Sequence, residues 1–252
     1  MSLDEYKRFE RLTFDDFRRM AADESLSRYE KIGFPNAYRA GKEEAIFRDI
    51  TTKLPALSSH DKVVLDVGPG CSELPLLLIE LCRRNEHTLL LVDSAEMLAQ
   101  LPDAPLIEKH AGYYPNCPEL LDRYRGRVDV LLSYSVLHYV FAESNVWGFL
   151  DTALELLAHG GEMLIGDIPN VSKRKRFFSS PAGIKFHQEF TGRAGEMPEV
   201  GFNRVEPQLI DDAVVLGLVQ RARLAGCDAY VVPQATELPM ANRREDILIR
   251  KP

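Results

Sequence analysis

The residues best suited to chemistry cluster early in the chain. Val63-Val64-Leu65-Asp66-Val67-Gly68-Pro69-Gly70 joins an apolar run holding one acid to a Gly-Pro-Gly turn. Each glycine leaves room that a Cβ would fill. A ligand can then lie against the backbone at the carboxyl end of a strand, where open α/β sheets bind. Asp93 follows Gly68 by 25 residues and closes the run Thr88-Leu89-Leu90-Leu91-Val92. An acid there is placed to accept hydrogen bonds from ribose hydroxyls. Three further residues could handle a proton. His138 is the first candidate for a general base, and His187 is the second. Asp167 could orient an acceptor. His138 also reads as a packed histidine, and Asp167 as the cap of a turn.

Those residues need elements to hold them. Strands are expected over residues 62–67, 87–93, 105–109, 127–133 and 162–168, with helices over 73–84 and 144–158 between them. The fourth strand runs on into Tyr134-Ser135-Val136-Leu137-His138-Tyr139-Val140. Ser94 caps a helix that carries Met97, which lies beside the pocket or fills core. Alternation of strands and helices argues for a parallel sheet covered on both faces. The stretch 3–50 reads as helical, with Thr13 as an N-cap and a second helix over 40–54. These helices are free to cover the ligand end, which makes Tyr29, Tyr38 and Arg39 candidates for facing it. About forty residues without clear periodicity follow Asp167-Ile168-Pro169-Asn170, and the phenylalanines 177, 178, 186 and 190 make them read as a lid. A helix over 211–225 precedes two strands, 229–232 and 246–250, whose short link suggests an antiparallel pair. The expected organisation is an N-terminal helical cap, 1–60, and a ligand-binding domain, 61–252, with a lid insertion at about 170–210.

Composition narrows the function classes. The 252 residues are 45% hydrophobic and carry a net charge of −7, which repels nucleic acid and anionic membrane. The charged start shows no signal peptide, and the apolar run 74–82 falls short of the about 20 residues a bilayer needs. The four cysteines are scattered and read as free thiols of a cytoplasmic protein. The six histidines form no metal-ligand spacing, so no metal is expected.

The glycine turn, Asp93, the Ser133-Tyr134-Ser135-Val136-Leu137-His138 segment and the paired ending together resemble class I S-adenosylmethionine (SAM)-dependent methyltransferases. The resemblance covers roughly residues 61–251. It implies a Rossmann-like, seven-stranded, mostly parallel α/β sheet in the order 3-2-1-4-5-7-6, with the last strand antiparallel. It implies that Asp66, Gly68, Pro69 and Gly70 hold the methionine part of SAM and that Asp93, with Ser94 and Met97 beyond it, meets the ribose side. Gly112 and Tyr113 would occupy the adenine loop, although the acid often found before the adenine is absent. Ser133 and Tyr134 would lie near the sulfonium. Arg39 joins the cofactor-binding candidates from the N-terminal helices.

Two rival readings stay open. Gly68-Pro69-Gly70-Cys71-Ser72-Glu73 also approaches a dinucleotide fingerprint, which would make the chain an NAD-linked oxidoreductase. Glu73 stands where the third glycine belongs and would repel a diphosphate, which favours SAM. A non-catalytic SAM-binding protein is the other rival. For an enzyme, the expected acceptor is a small molecule methylated at a hydroxyl oxygen, with a sugar or sugar nucleotide as the guess. The Asn/Asp-Pro-Pro-Tyr/Phe motif of certain nitrogen methyltransferases is absent. The basic run Lys173-Arg174-Lys175-Arg176 either meets phosphates of the acceptor or is a solvated loop. A homodimer is one assembly open to the chain.

Overall fold

Apolar runs at 63–67, 88–93 and 128–134 build the middle of the sheet, and more polar strands flank them. A computed structural model of the chain describes residues 8–9, 12–204 and 206–252; the start of the expected N-terminal helical stretch lies outside them. The strands are β1 (Val63–Val67), β2 (Thr88–Asp93), β3 (Ile107–Ala111), β4 (Val128–Tyr134), β5 (Leu157–Pro169), β6 (Asp228–Val232) and β7 (Arg244–Arg250). They form one seven-stranded sheet in the order β3-β2-β1-β4-β5-β7-β6. The first five pair in parallel, and β7 runs antiparallel to both β5 and β6. This is the Rossmann-like methyltransferase order.

Two dry layers flank the sheet. On one face, Leu65, Leu90, Leu131 and Ile165 pack with Phe149, Leu150 and Leu218 from covering helices. On the other, Val64, Leu89, Val130 and Leu164 pack with Ile46, Ile50, Leu54 and Leu57. These last four precede β1, so the helical segment before the sheet shares its core. At about 25 cal/mol per Å² of apolar surface, each such fully buried leucine or isoleucine contributes roughly 1.5–3 kcal/mol.

Helix ends follow side-chain caps. Thr13 forms a capping box with Asp16 at the start of α1 (Phe14–Ala22). Four further helices are α2 (Arg28–Lys31), α3 (Asn36–Arg39), α4 (Glu43–Lys53) and α5 (Glu73–Arg84). Ser72 caps α5, and Ser94 caps the single turn α6 (Ala95–Leu98). After α7 (Pro118–Tyr124) come β4, α8 (Leu137–Glu143) and α9 (Val146–Leu156). Past β5 lie α10 (Val171–Phe178), α11 (Pro181–Thr191) and α12 (Asp212–Leu224).

The structure corrects four expectations. The second helix starts at Glu43 rather than at 40. The fourth strand stops at Tyr134, because Ser135 turns left-handed at φ 62° and the chain then enters α8. The helix expected over 144–158 starts at Val146, where Asn145 accepts from the Trp147 and Gly148 amides, and gives way at Leu157 to β5. The stretch after β5 is not aperiodic: it holds α10 and α11, capped by Asn170 and Ser180. The basic run therefore sits on a helix, not on a solvated loop. Lys173 donates to the Arg244 carbonyl at 2.7 Å, Lys175 meets Glu206 at 2.5 Å and Arg176 meets Asp212 at 2.5 Å.

Candidate functional site

The parallel strands β1, β2 and β4 end side by side, and their carboxyl-end loops enclose a cavity roofed by the N-terminal helices. Its wall takes Asp66, Gly68, Pro69 and Gly70 from β1 and its loop. Asp93 and Met97 come from β2 and α6; Gly112 and Tyr113 follow β3; Tyr134 and Ser135 end β4. Phe14, Phe17, Ile32, Phe34 and Arg39 close it from the N-terminal side. The roof is fastened by ring contacts: Phe14 meets Tyr113 edge-on at 4.9 Å, and Phe17 meets Tyr139 at 4.8 Å.

The glycine loop is shaped by crowding as well as by conformation. Gly68 has φ 72°, and a Cβ there would come within 2.5 Å of Val136 Cγ2. Gly70 has φ 66°, and its Cβ would fall 2.6 Å from Ile32 Cγ2. Both neighbours are short, β-branched side chains that cannot swing aside. Gly68→Ala is therefore expected to destabilise the protein by on the order of 2–4 kcal/mol, from left-handed strain plus overlap. Urea unfolding would show a lower midpoint with an unchanged slope; an unshifted midpoint would contradict this packing.

Asp93 ties the loop to the second strand. Its Oδ2 accepts from the Gly70 amide at 3.2 Å and its Oδ1 from the Ser94 amide at 2.7 Å. Burial pushes its carboxyl up to about 6, against the pull of those two donors. Asp66 is pushed further, to about 8, by burial and by the charge of Asp93. Two acids in one dry wall cannot both hold their charge cheaply without a cation between them.

Arg39 and Glu43 form a second polar pair. Arg39 Nε stands 3.5 Å from Glu43 Oε1, and both side chains are almost wholly buried. The Nε atom and both Glu43 oxygens have no hydrogen-bond partner. Burial raises the Glu43 carboxyl, and Arg39 opposes that rise. Arg39 lies over the Phe34 ring at 4.7 Å and donates to Ser135 Oγ at 3.4 Å. Ser135 Oγ in turn donates to Asp167 Oδ2 at 2.5 Å. Asp167 is buried with φ 58°, a strained backbone for a non-glycine residue. Its amide donates to Asp246 Oδ1 at 2.8 Å, and Arg244 donates to its carbonyl at 3.0 Å.

The candidates from the sequence thus divide. Arg39, Asp66, Gly68, Pro69, Gly70, Asp93, Met97, Gly112, Tyr113 and Tyr134 all meet in the cavity wall. Ser94 stands behind it, capping α6 onto Met97 at 3.1 Å. Ser133 points into the core, fully buried, with no partner for its Oγ. The hydroxyl that does line the cavity is Ser135, which sequence reasoning missed; its place just past the strand end was the available signal. Asp167 does not line the cavity and meets its wall by accepting from Ser135. His138 lies outside the wall, with Nδ1 buried and unpaired and its ring 3.9 Å from that of Tyr139. Burial drives its pKa down to about 3, so it stays neutral near pH 7 and is a weak base. His187 belongs to α11, beside Glu196 at 3.6 Å and away from the wall. Tyr29 is buried and Tyr38 hydrogen-bonds Arg243; neither lines the cavity. Glu73 is half exposed, lies 3.7 Å from Arg28 and does not line the cavity.

No protein-family model matches the chain, and no curated protein does. Solved structures do. The chain is similar to the CurJ carbon methyltransferase at 13% identity and TM-score 0.56, over 97% of this chain and 65% of that one. An SAM-dependent methyltransferase from Aquifex aeolicus matches at 14% identity and TM-score 0.51, over 88% and 95%. The N-methyltransferase NodS from Bradyrhizobium japonicum, solved with S-adenosylhomocysteine (SAH), matches at 13% identity and TM-score 0.52, over 95% and 98%. The chain spans about two thirds of the length of the CurJ structure and nearly all of the other two. No described helix is long and apolar enough to cross a membrane. With its strand order, its glycine loop and these structural neighbours, the chain has the class I SAM-dependent methyltransferase fold.

Proposed function

We propose that the protein is an SAM-dependent methyltransferase acting on the hydroxyl oxygen of a small-molecule acceptor. The observation that carries this reading is Arg39 in the cavity wall with the glycine loop, paired behind the wall with buried Glu43, the pair leaving three polar atoms without a hydrogen-bond partner. Buried polar atoms are rarely left unpaired without a reason. A cation and an anion side by side complement an amino-acid zwitterion, which is what the methionine end of SAM presents. Asp66 and Asp93 fit the same ligand, because a cationic molecule relieves the cost of their ionisation. Neither fits a diphosphate, which supports SAM over NAD independently of Glu73.

Bound SAM supplies an already activated methyl group, so the protein need only place the acceptor and manage its proton. Gly68 and Gly70 let the ligand approach the backbone. Asp93 keeps lone pairs free for ribose hydroxyls after holding two amides. Met97, Gly112 and Tyr113 form the apolar slot for a base. Ser135 offers its oxygen to the cavity while its own proton points at Asp167. An acceptor hydroxyl placed there can pass its proton to Ser135 Oγ as Ser135 passes its own to Asp167. That relay serves better than His138, which lies outside the wall. Helices α10 and α11, within the stretch 170–210, act as the lid over the acceptor side.

The test is a calorimetric titration with SAM, SAH and NAD. Micromolar binding of SAM and SAH is expected, weakened at least tenfold by Arg39→Ala. Binding of NAD alone would overturn the reading. Binding of SAM with an affinity untouched by Arg39→Ala would remove the pair from the site.

A further inference from the structure

Arg243 is a partly buried cation with no carboxylate partner among the described residues. It precedes β7. Its Nη2 donates to the Tyr38 hydroxyl at 3.0 Å and its Nη1 to the Asn242 side chain at 2.9 Å. The rest of its surroundings is aromatic, with Phe186 at 5.4 Å and Phe178 at 6.0 Å from the guanidinium carbon. Arg174 lies over the same Phe178 ring at 5.0 Å. Among the described residues neither arginine has a carboxylate partner, although the basic side chains around them on α10 are all paired. Arg174 and Arg244 both press the Arg243 pKa down, adding to its burial. Two guanidinium groups thus meet one ring, in a protein whose net charge is −7. A partly buried charge without a counter-ion is costly and is a common mark of a ligand site.

The place is as informative as the charge. Asp93 ends β2, while Arg243 enters β7, with β1, β4 and β5 between them in the sheet. The next residue, Arg244, touches Asp167, which holds Ser135 at the cavity wall. Tyr38, the partner of Arg243, is adjacent in sequence to Arg39, which lines the cavity. Arg243 therefore stands beyond Ser135 on the side opposite the ribose acid. We propose that Arg243 and Arg174, with Tyr38 and the rings of Phe178 and Phe186, form a subsite for an anionic group of the acceptor, a phosphate or a carboxylate. This rests on the methyltransferase reading, and it makes the lid the element that recognises the acceptor. Guanidinium forks suit both oxyanions through paired hydrogen bonds.

The experiment titrates the full chain, with and without saturating SAH, with inorganic pyrophosphate and separately with succinate. Saturable binding of at least one anion is expected, and the stronger of the two identifies the class. Arg243→Gln should weaken it at least tenfold. Arg174→Gln, at an exposed position that the fold does not need, should weaken it about threefold. SAH affinity, measured in parallel, should stay within twofold in both variants. Absence of saturable binding of both anions in the unaltered protein would overturn the subsite, as would equal binding in both variants. Anion binding in a protein that fails to bind SAH would instead overturn the methyltransferase reading and leave the anion site standing.

Discussion

Replacing Asp93 with alanine is expected to reduce SAH affinity by a hundredfold or more, equivalent to about 2.7 kcal/mol. Two effects add. The ribose hydroxyls lose a charged acceptor, worth roughly 1.5–3 kcal/mol for such a bond. The loop also loses its tie, because the Gly70 and Ser94 amides have their carboxylate partners in Asp93. The second effect alone would slacken the turn that the ligand must approach. It is opposed by relief, since the variant no longer buries a carboxyl raised to about 6. The fold should therefore survive, with far-UV circular dichroism unchanged and a modest shift in Tm. Asp93→Asn separates the effects: one oxygen still accepts a loop amide, while the charge is gone. Its affinity should fall between the two. An Asp93→Ala protein that binds SAH as tightly as the unaltered chain would sink the ribose assignment.

The second large effect is a pH dependence set by Asp66. In the ligand-free protein its carboxyl is held near 8, far above the 3.8 of an unperturbed aspartate. Between those values the native state keeps a proton that the unfolded chain has released. The native state thus binds more protons, and stability falls as pH rises through this window. Asp93, raised to about 6, adds the same sign at lower pH. His138 works against both: held down to about 3, it makes stability rise with pH up to about 6.5, the ordinary histidine value. The clean window is therefore pH 6.5 to 8, where Asp66 dominates. The loss expected there is on the order of 2 kcal/mol, and Asp66→Asn should flatten it. Denaturant midpoints measured at intervals across the window decide the matter; a slope that survives in Asp66→Asn would assign it elsewhere. The same proton should appear in binding. A cationic ligand favours ionised Asp66, so SAM should release protons near pH 7, seen as a buffer-dependent heat.

These results differ in how far the linear chain foretold them. Buried parallel strands announce themselves as continuous apolar runs, because both faces are covered; 63–67, 88–93 and 128–134 are such runs. The alternation of elements around them gave a covered parallel sheet with an antiparallel final pair, and the full strand order came only through the methyltransferase resemblance. The glycine loop and Asp93 were equally legible, since left-handed turns and acids at strand ends leave a mark on residue type alone. Helices α10 and α11 were not legible, because their polar and aromatic side chains find partners distant in sequence, such as Arg243, Asp212 and Glu206.

The chain by itself determined the sheet, the loop that approaches a ligand and the acid beside it. Each follows from local sterics and from the period of apolar residues, which need no partner to be read. Only the tertiary structure decided which polar side chains act together. Glu43 meets Arg39 because the short turn between α3 and α4 brings both side chains into the same buried layer, where only Arg39 reaches the cavity wall. Ser135 replaces Ser133 at the wall because β4 runs on to Tyr134, keeping Ser133 in the core, and the chain turns left-handed at Ser135. Asp167 is drawn in through Ser135, while His138 packs behind Tyr139, which lines the wall in its place. The contacts of Ser135 with Arg39 and Asp167 join residues 96 and 32 positions apart, and even the near neighbours Arg39 and Glu43 act together only because the fold buries both.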